Sequence, residues 1–183
     1  MIYFCSSLPR SGTNSICRMA SICGLKPMHV LNNSKRLIEH IEDGYNFFAD
    51  TPFYNPNFIV SFLESYKNSD SVKIIHVDRN MEEWHNSFTG LWAGWSSKPN
   101  IRHDSNSIIN FLDKLNYEYL LQYEDTKERY KIHRHSIKEI AKLYNIEILY
   151  YSFSDGWKPF CDFTNKPIPA HEMPFIKNPK PIK

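Results

Sequence analysis

Short apolar runs alternate along the chain with stretches in which apolar residues recur every three or four positions. Apolar runs bounded by turn residues are typical of buried strands, and the wider spacing is typical of amphipathic helices. The predicted strands are Ile2–Cys5, residues 46–49, Val72–Val77 and residues 146–153, with residues 28–31 a short strand or a loop. The predicted helices are residues 16–23, 34–41, 57–66, 81–91, most of 105–144 with a break at 125–129, and a short helix or turn at 156–163. This alternation predicts a three-layer α/β domain around a parallel sheet of four to five strands.

Two segments outside these elements are rich in residues that interrupt helices and strands. Residues 92–103 contain Gly94, Pro99 and two tryptophans, and we interpret them as a mobile lid over a site. The tail from Lys166 contains five prolines and is predicted to be extended. The 183 residues fit one domain with a single core, spanning residues 1–183.

Composition narrows the possible function classes. The 22 Lys and Arg residues nearly balance the 20 Asp and Glu residues, so no general attraction to nucleic acid or to a membrane surface is predicted. No apolar run is long enough to span a bilayer, and no signal peptide is recognised. The four cysteines form no Cys-x-x-Cys pair, which indicates a reduced, cytoplasmic protein. No His-Glu-x-x-His motif and no Cys/His cluster occurs, so no metal site is predicted, and the oligomeric state is not indicated.

Residues 6–15, Ser-Ser-Leu-Pro-Arg-Ser-Gly-Thr-Asn-Ser, join the first predicted strand to the first predicted helix. Backbone N–H groups at a helix N-terminus have no partners within the helix, and the helix dipole favours an anion there. A glycine permits a tight turn, and an arginine adds a planar donor fork. This segment therefore predicts a phosphate-binding loop; the alternative is an ordinary glycine turn. The candidate binding residues are Pro9, Arg10, Ser11, Gly12, Thr13, Asn14 and Ser15.

The loop departs from the pattern of nucleotide triphosphatases, Gly-x-x-x-x-Gly-Lys-Ser/Thr. With Gly12 as the second glycine, Thr13 stands in place of the lysine and Asn14 in place of the magnesium-binding hydroxyl. The positive charge precedes the glycine, at Arg10. These differences disfavour magnesium-dependent triphosphate hydrolysis and favour a nucleotide with a different outer group.

A second candidate anion site follows the strand Val72–Val77. Parallel sheets bind ligands beyond the carboxyl ends of their strands, and Arg79 lies at such an end. Ser87 comes eight residues later, about two turns along the next predicted helix. An arginine fork and a hydroxyl together suit a dianion. In the alternative interpretation, Arg79 caps a surface helix by pairing with Asp78 or Glu82.

Three motifs resemble the sulfotransferases that use 3′-phosphoadenosine 5′-phosphosulfate (PAPS). Residues 8–13, Leu-Pro-Arg-Ser-Gly-Thr, resemble their 5′-phosphosulfate loop, and Arg79, Trp84 and Ser87 resemble their 3′-phosphate site. Residues 155–163, Asp-Gly-Trp-Lys-Pro-Phe-Cys-Asp-Phe, with Lys-Pro-Ile-Pro shortly after, resemble the closing segment of one microbial and animal branch. In that branch leucine is usual where this chain has Phe160 and Thr164. The resemblance covers nearly the whole chain.

The resemblance implies a P-loop NTPase-like fold and transfer of a sulfuryl group from PAPS to a hydroxyl or amine of a small-molecule or glycan acceptor. Arg10 would stabilise charge on the leaving phosphate, and Asp50 would be the general base. Asp50-Thr51-Pro52 ends a predicted strand and resembles an Asp-x-Pro of the same branch. In the alternatives, Asp50 caps the following helix or pairs with Arg10, and His85 and His103 are weaker candidates for the base.

Some residues that could carry chemistry are better interpreted as structural. His76 is in phase with the buried face of its strand, and Tyr130 and His133 are interpreted as a packed tyrosine and a hydrogen-bonded histidine. Trp157 and Phe163 are predicted to pack on the core. Two other function classes stay open: a nucleotide or small-molecule kinase, which the missing lysine disfavours, and a nucleotide-binding protein without activity.

Overall fold

The computed structural model describes residues 1–31, 36–67, 69–96 and 126–174. In chain order the elements are β1 (Ile2–Cys5), α1 (Thr13–Ile22), β2 (Pro27–Met28), α2 (Leu37–Glu42), β3 (Phe47–Ala49), α3 (Pro56–Ser65), β4 (Val72–Val77), α4 (Met81–Ser96), α5 (Thr126–Leu143), β5 (Ile148–Tyr151) and α6 (Trp157–Thr164). Single 3-10 turns lie at Ser69–Ser71 and Phe153–Asp155. The alternation of strands and helices predicted from the apolar pattern is confirmed.

The five strands form one sheet in which every neighbouring pair is parallel, in the order β2-β3-β1-β4-β5. Strand β1 lies at the centre, where Phe4 is opposite Phe48 on one side and Ile74 on the other. All four residues of β1 are buried, as expected for a strand covered by helices on both faces. The predicted parallel sheet is therefore confirmed, and its carboxyl ends meet at one edge.

Helices cover both faces of the sheet and bury a separate apolar cluster on each. Tyr3 and Cys5 of β1 face α1 and α6, whose contributions include Met19, Trp157 and Phe160. The alternate residue Phe4 faces the other way, against a cluster that contains residues of α3 and α5. Trp157 is buried and Phe163 packs at the margin of the first cluster, as predicted. No helix in the described ranges has the length and apolar character needed to cross a membrane.

A third cluster lies at the carboxyl edge of the sheet and contains Leu8, Tyr54, Trp84, Phe88 and Tyr130. The ring centroids of Trp84 and Phe88 are 5.0 Å apart, and those of Trp84 and Tyr130 are 5.2 Å apart. Since Leu8 belongs to the loop after β1, this cluster packs α4 and α5 against that loop. The loop of the candidate site is thus held by α4 and α5 as well as by the strand that precedes it.

Two local predictions were wrong. Residues 92–96, predicted to be irregular and part of a lid, continue helix α4; a glycine inside a helix costs only about 1 kcal/mol, so Gly90 and Gly94 are tolerated. Residues 126–129, predicted as part of a break, form the first turn of α5, where Lys127 pairs with Glu82 of α4 at 2.6 Å. Residues 97–103 of the predicted lid, and residues 105–125, lie outside the described residues.

Candidate functional site

The loop between β1 and α1 has the tight geometry that its glycine predicts. The Ser11 N–H donates to the Leu8 carbonyl at 3.1 Å, and Gly12 adopts a left-handed conformation with φ 97° directly before α1. A Cβ atom on Gly12 would lie 2.5 Å from the ring of Phe153. Both the conformation and the space therefore require glycine here.

The N-terminus of α1 presents donors that suit an anion. The first backbone bond of the helix runs from the Ile16 N–H to the Gly12 carbonyl, and no side chain caps this end. The earlier amides of the first turn therefore have no partner within the helix. Ser11 Oγ is buried and has no hydrogen-bond partner in the part of the chain that the structure describes. A buried hydroxyl without a partner is costly unless a ligand satisfies it, so this loop fits a phosphate or sulfate group.

Donors from β4 and α4 hold the backbone of the loop from the other side. The Trp84 indole Nε1 donates to the Pro9 carbonyl at 2.8 Å, and the Val77 N–H donates to Ser7 Oγ at 2.6 Å. Arg79 Nη1 donates to the Arg10 carbonyl at 2.7 Å. Because the carbonyls of Pro9 and Arg10 accept from these donors, the amides at the start of α1 remain for an incoming anion.

Arg10, Arg79 and Ser87, which we call the arginine side, lie together as the sequence predicted. Arg10 Nε donates to Ser87 Oγ at 3.2 Å, so Ser87 contacts the loop arginine. The Tyr130 hydroxyl donates to the Arg79 carbonyl at 2.6 Å and lies 3.1 Å from the Arg79 N–H. Two hydrogen bonds thereby fix the Arg79 backbone. Arg79, between β4 and α4, and Ser87, on α4, thus both contact Arg10 of the loop.

In the alternative interpretation Arg79 pairs with Asp78 or Glu82, but each of these carboxylates has a different basic partner. Asp78 accepts two hydrogen bonds from Arg134, each 2.9 Å long, and Glu82 pairs with Lys127. Arg79 Nε is 3.7 Å from a carboxylate oxygen of Glu83, in the first turn of α4. The Arg79 side chain thus has two partners, the Arg10 carbonyl in the loop and the Glu83 carboxylate on α4.

Thr13, His29 and Asp50 lie on the other side of β1, and we call them the carboxylate side. Thr13 Oγ1 donates to Asp50 Oδ2 at 2.9 Å, and His29 Nε2 lies 3.0 Å from Thr13 Oγ1 and 3.4 Å from Asp50 Oδ2. Thr51 Oγ1 donates to Asp50 Oδ1 at 3.3 Å. Asp50 is thus at the predicted strand end and is bonded to the loop through Thr13.

Neither structural alternative for Asp50 holds in the described residues. The N-cap of α3 is Asn55, whose side chain accepts from the Asn57 N–H. The described partners of the Asp50 side chain are Thr13, Thr51 and His29, and Arg10 is not among them.

Two of the predicted site residues have a left-handed backbone conformation. Four described non-glycine residues have left-handed φ values: Arg10 at 73°, Asp50 at 65°, and two asparagines that end helices, Asn145 and Asn165. Asparagine and aspartate adopt this conformation comparatively readily, whereas for an arginine it costs on the order of 1 kcal/mol or more. Such strain concentrates at functional sites, so the conformation of Arg10 favours a functional role for the loop.

The remaining predicted residues differ in how far they are exposed. Pro9, Ser11, Thr13 and Ser15 are buried, Arg10 is half-buried, and Asn14 is exposed on the first turn of α1. The hydroxyl of Thr13 is engaged by Asp50, so Thr13 offers an anion its backbone N–H. His85 is half-buried on α4, and His103 lies outside the described residues.

Two buried histidines lie beneath the arginine side. His76 Nδ1 is 3.2 Å from Ser6 Oγ, and His133 Nε2 donates to the Tyr54 carbonyl at 2.8 Å, which confirms both as structural. Burial, with the charge of Arg134 second, lowers the pKa of His76 to about 3. Burial, with His76 second, likewise lowers the pKa of His133 to about 3. Both rings are therefore neutral near pH 7, and neither is placed to exchange protons with a ligand.

Sequence reasoning missed His29 and the roles of Phe153, Trp84 and Tyr130 in fixing the loop. His29 directly follows β2, a strand of two residues, so the rule that ligands bind at strand ends would have found it. The contact of Phe153 with Gly12 joins residues far apart in the chain, and no local pattern signals it.

These features define a three-layer α/β domain of P-loop-like architecture, with a candidate anion-binding loop at the end of its central strand. A family model described as a sulfotransferase domain matches residues 32–181. The chain belongs to this sulfotransferase family. The matched region begins after the loop of residues 6–15, so the loop is a separate observation in favour of the same class. No curated protein matches the chain.

Proposed function

We propose that this protein transfers the sulfuryl group of PAPS to a hydroxyl or amine of a small acceptor, in line and without a metal. The observation that carries the proposal is the loop before α1, with its uncapped helix start and the buried, unpartnered hydroxyl of Ser11. The family match supports sulfuryl transfer, and the two neighbouring arginines support a donor with two anionic groups.

The residues present fit both ends of such a donor. The loop residues Pro9 to Ser15 would hold the 5′-phosphosulfate through the amides of α1 and the Ser11 hydroxyl. Arg79 and Ser87 would hold the 3′-phosphate, since an arginine fork and a hydroxyl match a dianion. When bound, PAPS supplies a sulfuryl group that is already activated by its attachment to a phosphate.

The chain's own residues supply the rest of the chemistry. Arg10, fixed beside the loop by Ser87, offsets the negative charge that develops on the leaving phosphate oxygen. The carboxylate side takes the proton from the acceptor, and Asp50 supplies the negative charge for that step. A cytoplasmic location is part of the proposal. It is supported by the four cysteines, which are all buried and form no disulfide.

A kinase of the same fold is the second candidate function, and the loop argues against it. Thr13, which stands at the position of the P-loop lysine, donates its hydroxyl proton to Asp50. Neither the charge that binds the outer phosphates nor the magnesium-binding hydroxyl is therefore supplied at its usual place. A nucleotide-binding protein without activity differs from our proposal only in turnover.

A thermal-shift panel followed by an activity assay separates these functions. 3′,5′-ADP should raise the melting temperature in the presence of EDTA by mass action, whereas ATP with magnesium should raise it only for a kinase. Transfer of labelled sulfuryl from PAPS is then measured with phenol, alcohol, amine and sugar acceptors. Labelled product supports the proposal; stabilisation by ATP with magnesium alone contradicts it, and 3′,5′-ADP binding without product with any acceptor indicates an inactive protein.

A further inference from the structure

We propose that His29 is the residue that accepts the proton of the acceptor, with Asp50 acting through it as a positioning residue. The inference rests on the proposed sulfuryl transfer and adds the atom at which the proton arrives. On the carboxylate side, the positions of the hydrogen atoms follow from which groups can donate a hydrogen bond.

The Thr13 hydroxyl has one proton, and its direction is determined. An ionised carboxylate only accepts hydrogen bonds, so the 2.9 Å contact between Thr13 Oγ1 and Asp50 Oδ2 uses the hydroxyl proton. Thr13 Oγ1 must then accept in its 3.0 Å contact with His29 Nε2. The Nε2 atom therefore carries a hydrogen, which also points toward Asp50 Oδ2 at 3.4 Å.

The other ring nitrogen of His29 is consequently the basic one. A neutral imidazole carries a single N–H, so a hydrogen on Nε2 leaves a lone pair on Nδ1. His29 has no further hydrogen bond to any residue that the structure describes, and its side chain is 30% exposed. Nδ1 is thus available to a ligand. The hydrogen bond at Nε2 determines the tautomer and so leaves the lone pair on Nδ1.

Asp50 is less available than His29 for direct contact with an acceptor. Its side chain is 12% exposed, and both of its oxygens already accept hydrogen bonds, from Thr13 and Thr51. Its negative charge nevertheless lies next to Nε2. In the proposed step, that charge offsets the positive charge that the ring gains when Nδ1 takes the acceptor's proton. Asp50 therefore orients and stabilises His29.

The step balances without another reactant. The O–H bond of the acceptor breaks, and its proton forms the new N–H bond at Nδ1 of His29. The acceptor oxygen forms a bond to sulfur while the bond from sulfur to the 5′-phosphate oxygen breaks, and that electron pair remains on the phosphate beside Arg10. Because Thr13 belongs to the phosphate loop and also bonds to His29, the orientation of the base depends on the loop that holds the donor.

The tautomer of His29 can be measured without turnover. Long-range ¹H–¹⁵N NMR of the protein labelled at histidine should show the neutral His29 ring protonated at Nε2, with the signal assigned by its loss in His29→Gln. In Thr13→Val, which removes the bridging hydroxyl, the preference for this tautomer should weaken. A wild-type ring protonated at Nδ1 would overturn the proposal.

Turnover then tests the role itself. His29→Ala should lower turnover by roughly 10²–10⁴-fold, the usual effect of losing a general base, while 3′,5′-ADP still raises the melting temperature as in wild type. Free imidazole should restore part of the turnover in His29→Ala but none in Asp50→Asn. His135→Ala, which removes an exposed histidine of α5, is the matched control.

The outcomes distinguish this inference from the proposed function. A wild-type protein that makes no sulfated product contradicts the proposed function, whatever the variants do. An active wild-type protein with unchanged turnover in His29→Ala, or with a loss that imidazole does not restore, overturns the role of His29 and leaves the proposed function standing.

Discussion

The carboxylate side and the arginine side flank the same central strand, yet histidines on the two sides differ in what they can do. His29 keeps 30% of its side chain exposed and bonds to Thr13 beside Asp50. His76 and His133, beneath the arginine side, are buried, and burial lowers the pKa of each to about 3. The residue type is the same, but depth in the fold separates the ring that we propose as the base from rings that only pack.

The two sides also differ in charge, and this suggests a division of labour. Arg10 and Arg79 converge on the loop after β1, where an anion would be bound. Asp50 lies across β1 from them and is linked to the same loop by Thr13. One side is suited to hold a negatively charged donor, and the other to take a proton from the acceptor.

Removing the charge of the carboxylate side should have the largest effect. Asp50→Asn keeps the size of the side chain but removes its negative charge, so turnover should fall by roughly 10²–10⁴-fold. The arginine side is untouched, so 3′,5′-ADP affinity measured by calorimetry should stay near wild type. Loss of nucleotide binding or of folding would show that Asp50 is structural. Unchanged turnover would show that Asp50 has no part in the proton transfer, and His85 and His103 would then be tested as bases beside His29.

The arginine side is tested by measuring the affinity of the protein for 3′,5′-ADP. Arg79→Ala should weaken 3′,5′-ADP by about 2–5 kcal/mol, the usual cost of losing one partner of a desolvated charge pair, and should weaken 5′-AMP much less. Arg18→Ala, an exposed substitution on α1, is the matched control. Equal weakening of 3′,5′-ADP and 5′-AMP would show that Arg79 does not bind the 3′-phosphate.

Acid should destabilise the protein through the buried histidines. Because their pKa values in the folded chain lie below the ordinary value of about 6.5, the unfolded chain takes up protons that the folded chain refuses. Their contribution to stability is complete above about pH 6.5 and is lost as the pH falls toward the lowered values. Each histidine should reduce the free energy of unfolding by about 2 kcal/mol between pH 7 and pH 5.

Urea unfolding of His133→Gln at the two pH values measures this directly. Whatever the overall stability of the variant, the difference between its free energies of unfolding at pH 7 and pH 5 should be smaller than that of wild type. His135→Gln, on the same helix but exposed, is the matched control. A pH dependence unchanged in His133→Gln would contradict the burial argument.

The smallest expected effect concerns how the arginine side is held. Tyr130→Phe removes two hydrogen bonds to the Arg79 backbone while keeping the ring that packs on Trp84. A typical hydrogen bond contributes about 1 kcal/mol, so 3′,5′-ADP affinity should fall by up to about tenfold. Turnover at saturating donor should change little. An affinity equal to wild type would show that Arg79 is positioned without Tyr130.

Local pattern was sufficient for most of the fold and for the edge at which the site lies. Buried parallel strands have continuous apolar runs, so β1 and β4 could be predicted from the sequence with their limits. The rule that ligands bind beyond strand ends then placed Arg10, Asp50 and Arg79 at one edge. The start of α5 was predicted wrongly, because its first turn is polar and is stabilised by a contact with α4 that no local pattern contains.

What the sequence by itself determined was the parallel α/β fold, the glycine turn before α1 and the residue types gathered at the sheet edge, since these depend on neighbours along the chain. Tertiary structure alone decided which of these residues pair. Thr13 bonds to Asp50, His29 joins them from a two-residue strand, and Phe153 closes over Gly12. These contacts join separate segments of the chain, and their energies depend on distances that only the packed sheet sets. The same holds for the histidines, whose chemistry follows from burial and not from their place in the sequence.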